Sequence, residues 1–256
     1  MSGEILLQAR GITKRYRGLL ANSNIDLDLR RGEIHALIGP NGAGKSTLIA
    51  QLSGELEPSA GQVLFRGREV TALPVHRRAR LGISRSFQMT SVFEEMTVMD
   101  NLALAVQAHH GHSFRFWRAA HRCQALNREA ETLARRFGLE ERLHQPASAL
   151  AHGEQRQLEV ALALAGDPPV LLLDEPMAGI GPGGTHELTR LLGGLRERHA
   201  VLLVEHDMQA VFALADRITV LVYGEVIASG SVEAIRANPE VRRAYLGDDS
   251  LQEAAC

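Results

Sequence analysis

Cysteine is scarce in this sequence: only Cys123 and Cys256 are present, far apart and at no ligand spacing. Neither a disulfide framework nor a thiolate metal site is indicated, and a reducing compartment fits. Long apolar runs are missing too. The most suggestive, Val170 to Leu173 and Val201 to Val204, fall far short of the roughly 20 residues that a membrane-spanning helix needs. Met1-Ser2-Gly3-Glu4 lacks the charged-then-apolar layout of a signal peptide. The chain is therefore expected in the cytoplasm unless a partner holds it at a membrane. Charge of either sign is not in excess. The formal balance is -2, which gives no general reason to expect a nucleic acid partner. Neither an internal repeat nor a low-complexity linker is visible. Lysine is almost absent as well: Lys14 and Lys45 are the two lysines among 28 basic residues.

What is present is ordinary globular material. Apolar residues make up 45% and charged residues 23%, so a packed core is expected. Residues 22–30 alternate strictly, as a strand with one buried face does. Ile34 to Ile38 is a short apolar run ending in a glycine-rich turn, followed by a helix-like Lys45 to Leu52. Val63 to Phe65 reads as another strand, and Tyr16 falls in a β-rich N-terminal segment. From about residue 89 to 150 the strand signals vanish. Val98, Leu102 and Ala105 fall on one helical face, and so do Trp117, Leu126, Ala130, Leu133 and Phe137. Beyond lie helix-like Glu154 to Ala165, strand Val170 to Leu173, helix-like Thr185 to Arg198 and strand Val201 to Val204. Helices alternating with buried strands predict a largely parallel, helix-covered sheet. Ile218 to Val222 and Glu225 to Ala228, split by Gly224, read as a hairpin. Short helices are expected over Val232 to Arg236 and Pro239 to Leu246.

The segment Gly39, Pro40, Asn41, Gly42, Ala43, Gly44, Lys45, Ser46, Thr47 fits G-x-x-x-x-G-K-[ST] between a strand and a helix. Glycines let the backbone wrap closely, so that its N–H groups point at phosphate oxygens. The following helix adds its positive end. In this pattern Lys45 reaches the β- and γ-phosphates, and the Ser46 hydroxyl ligates Mg²⁺. That one of two lysines falls here, in a chain otherwise rich in arginine, argues against an accidental match. A compact ammonium fits among phosphates where a planar guanidinium crowds them.

Leu171-Leu-Leu-Asp-Glu-Pro176 places two carboxylates directly after a buried strand, where an open α/β sheet binds its ligand. Asp174 is expected to hold Mg²⁺, and Glu175 to polarise the attacking water as general base. His206 follows a third buried strand, from where an imidazole can contact the γ-phosphate and the water.

In this order the motifs resemble the ABC transporter ATPase family over nearly the whole chain. The resemblance implies an α/β P-loop NTPase fold of the ABC type: a mainly parallel core sheet, an N-terminal antiparallel β region and an inserted helical subdomain. It implies one domain over 1–256, with 1–88 and 151–256 as nucleotide-binding core and 89–150 as helical subdomain. Ser84-Arg-Ser-Phe-Gln88 looks like the family's glutamine loop, where Gln88 contacts Mg²⁺ and the attacking water and the loop faces the membrane subunits. Leu150-Ala-His-Gly-Glu-Gln155 resembles the signature segment, L-S-G-G-Q. There Ala151, His152, Gly153, Glu154 and Gln155 close over ATP held by a second ATPase subunit, like or unlike the first. Tyr16 occupies the place of an aromatic that stacks on adenine. Two departures stand out: Ala151 replaces the signature serine, and Gly181 stands where many relatives carry an aspartate that communicates between sites.

Asp-Glu-Pro-Met-Ala-Gly (174–179), Val-Glu-His-Asp-Met (204–208) and the tail from Ile235 to Gly247 look like the ATPases of branched-chain amino acid importers. Such systems imply two membrane permease subunits, a periplasmic solute-binding protein and a place at the cytoplasmic face of the membrane. Urea importers and the lipopolysaccharide-export ATPase look similar. A soluble ABC ATPase acting on DNA or ribosomes is a competing reading, against which stand the near-neutral charge and the lack of a second ATPase half or long coiled insert. A nucleotide-dependent switch with little turnover is another, suggested by Ala151 and Gly181 and opposed by Lys45, Glu175 and His206.

Overall fold

The computed structural model describes residues 3–86, 92–109 and 124–245. Its strands, in chain order, are β1 (Ile5–Tyr16), β2 (Leu19–Arg30), β3 (Glu33–Ile38), β4 (Ala60–Phe65), β5 (Arg68–Glu69), β6 (Ile83–Arg85), β7 (Val170–Asp174), β8 (Ala200–Val204), β9 (Arg217–Val222) and β10 (Glu225–Gly230). They form two sheets. The first is antiparallel, in the order β2-β1-β4-β5, and the second has the order β10-β9-β3-β8-β7-β6. In the second sheet only the β9–β10 hairpin is antiparallel; β9, β3, β8, β7 and β6 run parallel.

Apolar runs explain the parallel centre. All five residues of β7 and all five of β8 are buried, as a strand covered on both faces requires. Alternate residues serve different cores. Val170, Leu172, Ala200, Leu202 and Val204 pack with β1, β2 and β4, and with Leu48, Ile49 and Leu52 of α1 (Lys45–Ser53). Leu171, Leu173, Val201 and Leu203 face the opposite way, into a core shared with the remaining large helices.

Those helices are α3 (Val98–His109), α4 (Gln124–Arg136), α5 (His152–Ala163) and α6 (Pro182–Gly193), following α2 (Val75–Leu81). Val98 and Leu102 of α3 are buried against Leu126, Ala130, Leu133 and Phe137, with Ala105 partly buried beside them. Between 92 and 150 the described residues hold α3, α4, two short 3₁₀ turns and no named strand. Trp117 lies outside the described residues. The helix expected over Thr185–Arg198 instead starts at Pro182 and ends at Gly193, and a 3₁₀ turn over Gly194–Glu197 completes it. A third cluster joins Ala36, Ile38, Ile218 and Val220 to α7 (Met208–Leu214), α8 (Val232–Ala237) and α9 (Pro239–Tyr245). The tail thus packs against the sheet edge.

Arg78 of α2 is buried, and no carboxylate among the described residues pairs with it. Its guanidinium donates to the carbonyls of Gln51 and Leu52 at 2.8 Å each, Leu73 at 3.0 Å and Thr71 at 2.7 Å. Burial pulls its pKa down to about 10, so it remains a cation against the negative end of α1. No helix among the described residues is long and apolar enough to cross a membrane.

Candidate functional site

The register of three central strands brings the motif residues to one end of the sheet. Val204 at the end of β8 sits between Leu37 of β3 and Asp174 of β7. The glycine-rich loop leaves β3, the carboxylates leave β7 and His206 follows β8, so segments distant in sequence converge. That is the carboxyl edge at which parallel sheets bind ligands.

Two glycines of the loop have stereochemical reasons. Gly39 has φ +155°, and a Cβ there would overlap the Leu221 carbonyl oxygen; Gly44 has φ +102°, and a Cβ there would overlap that of Ala21. A side chain at either position would push the loop off its neighbours. Buried Asn22 of β2 fixes the loop from below, its amide donating to the Gly44 carbonyl at 3.1 Å. The Gly224 N–H of the β9–β10 turn donates to the Ala43 carbonyl at 2.9 Å.

Asn41, Gly42, Ala43, Gly44, Lys45, Ser46, Thr47 and Glu175 line one cavity of about 430 Å³ with Tyr16, Leu19, Leu20, Ala21 and Tyr223. The Lys45 ammonium is buried and donates to the Gly39 carbonyl at 2.6 Å and the Pro40 carbonyl at 3.1 Å. Burial lowers its pKa, while the charges of Glu175 and Asp174 pull it back up. Tyr16, 45% exposed, presents a flat apolar ring at the mouth, with the Lys14 ammonium 5.3 Å from its centroid. Tyr223, 89% exposed, stands on the same rim.

The two carboxylates diverge. The Asp174 side chain has no exposed surface. Its Oδ2 accepts from Arg85 Nη2 at 3.0 Å, and Arg85 Nη1 donates to Glu55 at 2.6 Å. Asp174 Oδ1 is buried without a hydrogen-bond partner, a lone pair that a cation can satisfy. Burial pushes the Asp174 carboxyl up, against the pull of Arg85. Glu175 follows with φ +47°, a left-handed turn that costs a non-glycine residue roughly 1–2 kcal/mol. That turn breaks the strand's alternation and sends Glu175 into the phosphate cavity.

His206 Nδ1 lies 4.0 Å from Glu175 Oε1 and 3.9 Å from Glu205 Oε2, with the ring 64% exposed. Lys45, Ser46, Glu175 and Tyr16 thus line one cavity, while His206 stands beside Glu175 and buried Asp174 precedes it on β7. Gln88 lies outside the described residues.

The segment 151–155 is elsewhere. Ala151, Gly153 and Glu154 line a second cavity with Gln157, Ile180, Gly181, Gly183 and Gly184, and none of them lines the cavity of Lys45. Ala151 caps α5, and its N–H donates to Glu154 Oε2 at 2.9 Å, while Glu154 Oε1 accepts from Arg142 at 2.9 Å. Gln155 Nε2 donates to the Ala147 carbonyl at 3.4 Å. The polar side chains of Glu154 and Gln155 are therefore engaged within the chain, while exposed Ala151 and His152 form the outer surface.

Sequence reasoning missed Asn22, Arg85, Glu205 and Tyr223. Glu205 and Arg85 each stood inside a quoted motif, yet only the fold shows what their side chains touch.

Comparison with known proteins agrees with this geometry. A family model described as ABC transporter matches residues 22–178, and one described as branched-chain amino acid ATP-binding cassette transporter matches residues 225–250. The high-affinity branched-chain amino acid transport ATP-binding protein LivG of Escherichia coli (strain K12) is 44% identical over 255 residues, covering 95% of this chain and 98% of the relative. The corresponding protein BraF of Pseudomonas aeruginosa is 39% identical over 252 residues, with 95% and 98% covered. Among solved structures, the ADP conformation of MJ1267, an ATP-binding cassette of an ABC transporter, superposes with a TM-score of 0.85 at 27% identity, covering 95% of this chain and 99% of that one.

Proposed function

The chain belongs to the ABC transporter family and is an ATPase coupled to transport, and from that premise we propose that it drives import of branched-chain amino acids. The tail supports this choice of solute class: residues 225–250 match the branched-chain model and carry no nucleotide chemistry. Within the proposal, residues 89–150 form a helical subdomain that, with the loop bearing Gln88, faces two membrane permease subunits. A periplasmic solute-binding protein delivers the solute, and the chain sits peripherally at the cytoplasmic face of the membrane. Nucleic acid has no part.

The observation that carries the hydrolytic reading is the single cavity shared by Lys45, Ser46, Glu175 and Tyr16. The adenine stacks on Tyr16, and amides of the 39–47 loop surround the phosphates. Lys45 leaves its own carbonyls for phosphate oxygens and balances their charge. Ser46, Asp174 and Gln88 are the residues that would hold Mg²⁺, whose charge would offset that of the phosphates; the unpartnered Asp174 Oδ1 fits this. A water attacks the γ-phosphorus and yields its proton to Glu175 as the bond to ADP breaks. His206 lies beside Glu175 and donates toward the γ-phosphate. The separate cavity around Ala151 and Gly153 supports a second ATPase subunit, since within one chain the signature segment and the phosphate loop do not share a space.

Lys45→Ala is expected to lose both retention of ATP and turnover. Glu175→Gln is expected to keep ATP while its turnover falls on the order of 10²-fold or more. Equilibrium binding of a fluorescent ATP analogue and phosphate release measure the two; full turnover by either variant overturns the assignment. Uptake of leucine, isoleucine and valine by cells with and without the chain tests the solute.

A further inference from the structure

Glu205 is a buried carboxylate for which the hydrolytic mechanism has no use. Its side chain has no exposed surface, and neither lysine nor arginine reaches it among the salt bridges of the described residues. It is held instead by backbone. Oε1 accepts from Met177 N–H at 2.8 Å and Oε2 accepts from His206 N–H at 3.1 Å; the N–H of Asp207 also points to it. A buried carboxylate is costly unless its lone pairs are filled, and these amides fill them. Burial pushes its pKa up while the amides oppose that push.

The amides come from two places. Met177 lies two residues after Glu175, in the turn that leaves β7, whereas His206 and Asp207 follow β8. We propose that Glu205 is the positioning residue that clamps the Glu175 turn to the His206 turn, so that base and imidazole hold one geometry. This rests on the roles given above to Glu175 and His206. Three distances describe the clamp: the two amide contacts, and the 3.9 Å from Glu205 Oε2 to His206 Nδ1, which sets the ring against the same carboxylate. Glu175 Oε1 stands 4.0 Å from the same nitrogen. Two carboxylates therefore stand near one ring nitrogen, that of Glu175, which lines the cavity of the glycine-rich loop, and that of Glu205, which is buried. The left-handed φ of Glu175 is a further reason for a clamp, because a strained turn persists only where its surroundings over-determine it.

Glu205→Gln tests this in the full-length chain. The amide keeps the size but has one acceptor oxygen, and its NH₂ must face an N–H donor, so one of the two turns is released. The expected result is a kcat at least tenfold lower, with KM for ATP and binding of a fluorescent ATP analogue changed less than twofold. Hydrogen exchange should rise at least tenfold in a peptide spanning 175–179 and stay unchanged in one spanning 39–47. In a His206→Ala background the same substitution should lower kcat less than threefold, because the geometry between base and imidazole that the clamp fixes is already lost with the imidazole. If Glu205→Gln fails to fold, Glu205→Asp, which keeps the charge one methylene short, is judged by the same criteria.

Unchanged kcat, or an equal loss with and without His206, overturns the proposal. So does a loss that appears only in KM. Glu175→Gln separates this outcome from failure of the hydrolytic reading. If Glu175→Gln abolishes turnover and Glu205→Gln does not, the clamp alone is wrong; if Glu175→Gln hydrolyses normally, the assignment of the base is wrong.

Discussion

Ala151 opens α5 with half a capping arrangement. Its N–H is accepted by Glu154, but a methyl group offers nothing to the free amides of the first turn. A serine there would supply the missing acceptor, worth about 0.5–2 kcal/mol at a helix start, and a hydroxyl for the partner's γ-phosphate. Ala151→Ser is therefore expected to raise the melting temperature by a few degrees and turnover by about tenfold or more, since the absent charge-assisted bond is worth roughly 1.5–3 kcal/mol. A melting curve and a phosphate-release assay check both; equal stability and equal turnover contradict the capping and the γ-phosphate arguments together. Residues such as Lys45, Ser46, Asp174 and Glu175 were legible in sequence because their chemistry dictates residue type and spacing within a short segment. Arg85 and Glu205 were not. Arg85 meets Asp174 across 89 positions, and Glu205 meets Met177 across 28, and no local pattern encodes such pairings.

Among elements, α1 has the heaviest duty, because its first turn carries Lys45 and Ser46. Its far end is closed by Arg78, which donates to the α1 carbonyls of Gln51 and Leu52 and to those of Thr71 and Leu73 outside the helix. Arg78→Met leaves those carbonyls buried and unpaired, so a loss of about 3 kcal/mol or more is expected, seen as a drop of roughly 6–12 °C in melting temperature. Arg78→Lys should recover only part, for want of the fork. A variant melting like the native chain would show that water replaces the guanidinium without cost. The strands β7 and β8 were readable because burial on both faces leaves an unbroken apolar run. By contrast β6 has three residues, two of them polar, and α2 and α7 have seven each, too few turns for a period to stand out. In β1 the alternation is broken by register shifts and by the φ of +58° at Gly11, so its twelve residues gave only a general β signal.

At the scale of the molecule, the two sheets are joined by a buried polar seam. His35 on β3 has Nδ1 3.1 Å from the Asp28 carbonyl of β2 and Nε2 2.7 Å from the Thr219 hydroxyl of β9. A carbonyl only accepts, so Nδ1 carries the proton, Nε2 accepts from Thr219, and Ser229 donates to Thr219 at 2.8 Å. Protonating Nε2 would break that chain. Burial, helped by the charge of Arg217, lowers the His35 pKa to about 4, below the usual 6.5 of an unfolded chain. Between those values the unfolded state binds the extra proton, so stability rises with pH across that window and is lost as pH falls through it. The expected loss from pH 7 to pH 4 is roughly 3 kcal/mol from this group, and His35→Gln should flatten that slope in urea titrations. An undiminished slope in the variant would assign the pH dependence to other groups.

The phosphate cavity and the cavity at Ala151 share no lining residue. In a pair built from two copies, every working site then borrows half its walls, and a defect in one copy is felt by its neighbour's ledge rather than its own. Blending native chain with Lys45→Ala chain turns this into arithmetic of dosage. If either site suffices for a stroke, only pairs with two variant copies are silent, and output falls late, as one minus the square of the variant fraction. If both must fire, output falls as the square of the native fraction. With glycine rather than aspartate at position 181, the shape of that curve tells whether a stroke needs one working site or two.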